Sequence, residues 1–353
     1  MNKILRRTPS RGVALLAAVF FPTAVFAKAA DQAPTAREHT LKASPSTVVW
    51  GYFDGSKSPV LTIEPGDTVN VETMVTGARI LRLLGVPERV IRPSMIEMDE
   101  KVKQEGSHIL VGPIAIRGAE PGDVLEIRIR DMAMAEPWAV NVFTPGGGTL
   151  PHLFPYQGGK FVPIDLKRKV ATITSGVEVP VRPFFGNIGV GPPVLVGRLS
   201  SRPPGYHGGN FDNKELVAGS TLYLPVHVKG GLLSVGDGHA AQGDGEVNGS
   251  ALEASLRGKL QIFLRKDLKL RWPQAETPTH YITMGLDPDL DEAAKRAVEE
   301  MVEYLVSTKG LSREEAYILC SAAVDLRVTQ VVDGTKGIHA MLPKSVFVKS
   351  AVR

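Results

Sequence analysis

Two short segments hold most of the side chains that could do chemistry. One is His207-Gly208-Gly209-Asn210-Phe211-Asp212. The other is Ser234-Val235-Gly236-Asp237-Gly238-His239-Ala240-Ala241-Gln242-Gly243-Asp244-Gly245-Glu246. Residues 234–246 carry two aspartates, one histidine, one glutamate and four glycines, with little apolar mass. Glycine at this density lets the backbone fold tightly and approach a ligand closely. Asp237 and His239 are two apart, so extended backbone would point both to one side. Carboxylates and an imidazole on one surface can hold a divalent cation and leave a position for water. The plain alternative is a solvated turn in which acidic residues balance glycines; a histidine and a glutamate in register favour the metal site. The link between Asp212 and the second segment is an inference, since spacing does not join them.

The elements that must position these residues read as short strands. Glu64-Pro65-Gly66-Asp67 precedes the alternating run Thr68-Val69-Asn70-Val71-Glu72, and Glu120-Pro121-Gly122-Asp123 precedes Val124 to Ile129. Proline pre-sets φ at the second turn position and glycine accepts positive φ at the third, so each tetrapeptide predicts a type II turn feeding a half-buried strand. Ala218-Gly219-Ser220 is a weaker echo before Thr221 to Val226. Arg257-Gly258, between Ala251–Leu256 and Lys259–Leu264, predicts a hairpin.

After Asp289 the period changes. Leu290, Ala294, Ala297, Met301 and Leu305 recur at helical steps up to Lys309, with Gly310 as a stop. Ser312-Arg313-Glu314-Glu315 is a capping box opening a second helix through about Ala323. The expected fold is mainly β, of α+β class: a multi-stranded β-sandwich or barrel body with a C-terminal helical pair.

Composition bounds the rest. Of 353 residues, 43% are hydrophobic and 22% charged, which excludes a disordered tail, a collagen-like fibre and a coiled coil. A single cysteine excludes a disulfide framework. The formal charge of +4 belongs to the N-terminus: Lys3, Arg6, Arg7 and Arg11 are four of the 41 basic residues, so the remainder carries 37 of each sign. No concentrated basic face for nucleic acid is expected. Those four charges precede the apolar run Val13–Phe21, and Val25-Phe26-Ala27 offers small residues at a cleavage site. Residues 1–27 are therefore expected to be a secretory signal peptide, giving a secreted or periplasmic protein with no stable membrane insertion after cleavage. Residues 28–45 resemble a polar linker, and 46–353 one functional domain.

The chemistry-bearing segments resemble the acetamidase/formamidase family of metal-dependent amide hydrolases. The resemblance rests on Gly209-Asn210-Phe211-Asp212, on Thr221 to Val226 and on Val235 to Glu246. It is supported by Gly112-Pro113-Ile114, Gly118 to Asp123, Pro183-Phe184-Phe185-Gly186 and Ala323 to Val332. It covers roughly residues 45–348; Asn248 stands where these proteins often carry cysteine. The resemblance implies hydrolysis of the C–N bond of a small linear amide, releasing ammonia, by a homo-oligomer, most simply a dimer. It implies Asp212, Asp237 and His239 as the metal shell, with zinc the first choice and manganese or calcium also suited to a carboxylate-rich set. Glu246 is the implied base, with metal ligand as its other role; Asn210 is the implied oxyanion donor, and His108 a weaker site candidate.

Other motifs point to structure. His207 reads as a surface histidine in a Gly-rich loop. Cys320 lies in a predicted helix among Ile318, Leu319 and Ala322, which suits a small core residue. Asp287-Pro288-Asp289-Leu290-Asp291 resembles the start of a calcium loop but lacks its glycine and terminal glutamate, so helix capping is expected. Glu120 and Asp123 are expected to serve their turn, and Lys266 to Arg271 to form a solvated strand edge. A non-catalytic periplasmic β-rich binding protein using the same Gly-rich loop is the competing class.

Overall fold

Both Glu-Pro-Gly-Asp turns form as the residue types require. In the computed structural model, which describes residues 36–348, Gly66 and Gly122 have φ of +96° and +89°. The Asp67 N–H donates to the Glu64 carbonyl at 3.1 Å, and the Asp123 N–H to the Glu120 carbonyl at 3.0 Å. In each turn the aspartate carboxylate also accepts the glutamate N–H, at 3.0 Å. The turns launch the strands Thr68–Glu72 and Val124–Met134.

Those strands belong to a nine-stranded sheet. Its order is Glu38–Lys42, Thr68–Glu72, Leu256–Arg265, Val124–Met134, Thr221–Pro225, Gln274–Glu276, His280–Asp287, Lys336–Pro343 and Asp325–Val328. Glu38–Lys42 corrects the linker assignment, because it pairs in parallel with Thr68–Glu72 and buries Leu41. Residues 1–27, expected from sequence to be a signal peptide, lie outside the described residues.

The hairpin at Arg257-Gly258 does not form. Leu256–Arg265 is one strand, paired along its length with Val124–Met134. Gly258 is needed for packing: a Cβ there would lie 2.5 Å from Cε2 of Phe185 on the opposite sheet. The basic run is not a strand edge either. It is a loop in which Lys266 pairs with Asp123, Lys269 donates to the Gly122 carbonyl and Arg271 pairs with Glu300. It borders a cleft of about 830 Å³ with Tyr223, Tyr281 and Tyr304, sharing no residue with the site described below.

A second sheet runs Gly208–Asn210, Phe184–Gly189, Leu233–His239, Ile109–Ile116, Val48–Trp50, with Leu61–Ile63 also paired to Ile109–Ile116. One buried apolar cluster takes Val69, Ile127 and Ile262 from the first sheet and Ile114, Ile188 and Val235 from the second, the arrangement of a sandwich. A four-stranded sheet, Trp138–Phe143 to Val177–Pro180, flanks it. Two helices that the strand rhythm does not predict, Ala78–Leu83 and Pro93–Lys101, interrupt the body and bury Leu81, Met95 and Met98.

The C-terminal pair forms as expected. Asp289 caps Leu290–Lys309 by accepting from the Asp291 and Glu292 N–H groups, and Gly310 ends it in the left-handed conformation. Ser312 and Glu315 complete the capping box of Arg313–Ala323. Ala297, Met301, Leu305, Ala316 and Cys320 pack with Ile338 and Ala340 of the first sheet in a second cluster.

Candidate active site

Three neighbouring strands of the second sheet carry the site. Asn187 of the central strand is in register with Asn210 on one side and Gly236 on the other, and Phe184 with His239. Asp212 follows the first strand, and Asp237 and His239 end the third. His108 immediately precedes Ile109–Ile116, which pairs beside Gly236. The residues singled out in both sequence segments therefore meet at one end of one sheet.

His239 is the hub. Its Nε2 lies 3.3 Å from Asp237 Oδ2, 3.3 Å from Glu253 Oε2 and 3.9 Å from Asp212 Oδ1. Glu246 offers a carboxylate oxygen within 4.8 Å of ligand atoms of both Asp212 and His239. His108 Nε2 is 3.8 Å from Asp237 Oδ2. Thus all six sequence candidates, Asp212, Asp237, His239, Glu246, Asn210 and His108, come into one neighbourhood. Asp237 reaches it with φ of +55°, so the same-side outcome survives although the backbone there is not regular strand.

Left-handed backbone marks the group. Six non-glycine residues of the described chain have positive φ, and four of them are Asp212, Asp237, Glu246 and Asp333. Such conformations cost about 1 kcal/mol or more each and collect at functional sites, where surrounding structure enforces them.

The ring of His239 has a defined polarity. Gln242 Nε2 donates to the carbonyls of Asp212 and Thr329, at 2.8 and 3.1 Å. Its Oε1 therefore faces His239 Nδ1 at 2.9 Å and accepts a hydrogen bond from the N–H there. Nε2 is left toward three carboxylates, a place for either a second proton or a cation. Two buried oxygens in the cluster, Asp212 Oδ1 and Glu246 Oε2, have no hydrogen-bond partner. Beneath them Gly186 leaves a hollow: a Cβ there would lie 2.6 Å from Asp212 Oδ1, 2.7 Å from Asp237 Oδ2 and 2.7 Å from His239 Cε1. Unpartnered buried oxygens around a hollow, with an oriented imidazole, are a donor set that fits a divalent cation.

The electrostatics agree. Burial, and then the charge of Glu246, push Asp212 well above the usual carboxylate range. Glu246 is also raised, by burial first and by Glu253 and Asp333 against the opposing pull of His239. Burial alone would lower His239, yet Glu253 and Asp237 hold it well above its ordinary value. Asp237 goes the other way: burial opposes it, but His108 and His239 keep it below the ordinary range. Carboxylates crowded this closely call for a positive charge among them.

Asn210 is not an available oxyanion donor. Its two amide hydrogens are spent on Asp212 Oδ2 at 2.8 Å and Asp333 Oδ2 at 3.1 Å, while its Oδ1 accepts from Asn187. It orients a carboxylate instead. His207 is also corrected: it is buried against Phe53 and Tyr206, both ring nitrogens lack partners, and burial brings its pKa to about 3.

Two carboxylates escape the sequence reading. Glu253 is the only charge in the run Ala251 to Leu256, and that isolation among apolar neighbours is the signal that could have found it. Asp333 follows Val331-Val332 in an Asp-Gly pair that looks like an ordinary turn.

The comparisons with known proteins bear on this geometry. The family model described as the Acetamidase/Formamidase family matches residues 57–199 and 195–349. The chain belongs to the acetamidase/formamidase family. It is 28% identical over 348 residues to a formamidase of Methylophilus methylotrophus, covering 78% of this chain and 83% of that one. A crystal structure described as a predicted acetamidase/formamidase from Thermoanaerobacter tengcongensis superposes with TM-score 0.77 at 29% identity, covering 88% of this chain and 97% of that one. An acetamidase from Bacillus halodurans gives TM-score 0.75 at 31% identity, covering 89% and 100%. Membership supports an amide-hydrolysing enzyme on the mainly β fold with its C-terminal helical pair.

Proposed function

We propose that this acetamidase/formamidase family member hydrolyses small linear amides of the formamide and acetamide type, releasing ammonia, with one divalent cation held by Asp212, Asp237 and His239. The observation that carries the proposal is the environment of His239: Nδ1–H donates a hydrogen bond to Gln242 Oε1, and Nε2 faces three carboxylates. Zinc is the ion proposed, for the imidazole in the set; manganese and calcium suit the carboxylates. When bound, such a cation supplies an acidified water and a polarised amide carbonyl.

The protein's own groups do the remainder. Glu246 Oε2, buried and without a partner, takes the proton of the attacking water and returns it to the departing amine. Gln242 and Asn210 hold His239 and Asp212 in place. His108, its Nδ1 beside the Ser201 carbonyl at 3.1 Å, keeps Nε2 toward Asp237 and the incoming amide. Burial of the cluster keeps bulk water from screening these charges.

The names of the relatives support the enzyme over the non-catalytic binding protein. Ammonia release from formamide and acetamide, abolished by a chelator and restored by metal, tests the assignment. We also propose export through residues 1–27 and a homodimer, tested by N-terminal sequencing and by mass in solution. No nucleic-acid partner is proposed.

A further inference from the structure

We propose that Asp333 is the positioning carboxylate of this centre: through Asn210 it fixes which oxygen Asp212 turns inward, and Arg202 is its counter-ion. The inference rests on Asp212 being a metal ligand, as proposed above. Asp333 belongs to neither catalytic segment, coming from the turn after the C-terminal Thr329-Gln330-Val331-Val332 stretch. That stretch is tied to the site by Gln330, whose Nε2 donates to the Asn210 carbonyl at 2.9 Å, and by a bridge between Gly245 and Gln330.

An ordinary Asp-Gly turn would leave its carboxylate in water. Here the side chain of Asp333 is only 9% exposed, and its two oxygens have separate duties. Oδ2 accepts from Asn210 Nδ2 at 3.1 Å, and Oδ1 accepts from Arg202 Nε at 3.1 Å. Arg202 is half exposed, so the relay runs from solvent inward: Arg202, Asp333, Asn210, Asp212. Asn210 has two amide hydrogens to give. With one on Asp333 and its oxygen engaged by Asn187, the other can only point at Asp212 Oδ2, at 2.8 Å. Asp212 Oδ1 is thereby the oxygen left without a partner, facing the hollow above Gly186. Asp333 also shares the left-handed backbone of Asp212, Asp237 and Glu246, with φ of +65°.

A carboxylate acting only on the orientation of a ligand changes metal affinity, typically 10- to 100-fold, and excess metal makes good the loss. The test is metal affinity by chelator competition on the full chain, with zinc as the probe. Asp333→Asn is expected to weaken binding about 10- to 100-fold, and Arg202→Gln less, in the same direction. Ammonia release by Asp333→Asn should recover at saturating zinc. Because the relay passes through Asn210, Asp333→Asn should add nothing in an Asn210→Ala background. Unchanged affinity in Asp333→Asn, additive losses in the double variant, or activity that saturating zinc does not restore would each overturn the proposal. Should Asp333→Asn not fold, the exposed Arg202→Gln decides: unchanged affinity overturns it. If the unmodified protein binds no divalent metal, the metal reading itself fails; if it binds and the variants bind equally, only the role of Asp333 fails.

Discussion

Gln242 Oε1 lies 2.9 Å from His239 Nδ1, and the two donations of the same amide to backbone carbonyls leave it no other orientation. The proton on Nδ1 is thus assigned by the hydrogen-bond pattern, and Nε2 is directed at Asp212, Asp237 and Glu253, where it holds a second proton or a cation. An imidazole held this way is ready to act as a ligand before any cation arrives.

Gln242→Leu keeps the bulk and removes the acceptor. Metal affinity is expected to fall on the order of 10-fold, because the ring loses its fixed tautomer. Competition with a chelator measures it; unchanged affinity would show that the orientation of His239 does not depend on Gln242.

Gly186→Ala puts a methyl where the carboxylates converge, at contacts of 2.6 and 2.7 Å that real Cβ atoms do not make. Asp212 and Asp237 must then move apart. A misplacement near 1 Å costs on the order of 100-fold in rate, and metal retained after dialysis should fall with it. Full metal content in this variant would place the cation elsewhere.

The parts of this centre that sequence reveals are those with local signals. Glycine-flanked Asp237 and His239 announce themselves by spacing, and the turns and caps by residue type. Asp212 needed the family resemblance to join them, since the register across Phe184–Gly189 that brings the segments together is a long-range pairing. Glu253 was hidden inside a strand-like apolar run, and Asp333 in a turn whose burial only the folded chain creates. Gly258 reads as a turn residue because a glycine under an aromatic ring and a glycine in a turn look the same in sequence. The engagement of both Asn210 amide hydrogens is not legible in sequence, because Asp333, one of its two carboxylate partners, is remote along the chain.

The twin turns give a prediction about acid stability. Asp123 accepts from Glu120 N–H and pairs with Lys266 at 2.7 Å, and these interactions outweigh burial to hold its pKa below the ordinary value. A depressed folded-state pKa means stabilisation present above the unfolded value near 4 and lost as pH falls through the folded one. Asp123→Asn keeps the turn acceptor and removes the charge. It should cost about 0.5 kcal/mol at pH 7, since Lys266 is largely exposed, and the difference should vanish in strong acid. Denaturant unfolding of both proteins across pH checks this; a difference that grows in acid would contradict it.

Glu246→Gln separates catalyst from ligand. The amide preserves shape and cannot take a proton, so turnover should drop about 100- to 10,000-fold with metal retained. Loss of metal together with turnover would assign Glu246 to the shell instead.

Metal content and ammonia release measured side by side on the unmodified protein and on His239→Ala test the central claim most directly. The account predicts close to one divalent cation per chain and release of ammonia from formamide or acetamide in the unmodified protein, and loss of both in the variant, because the remaining carboxylates cannot replace the hydration shell of the cation alone. Full metal content and undiminished amide hydrolysis in His239→Ala would contradict it.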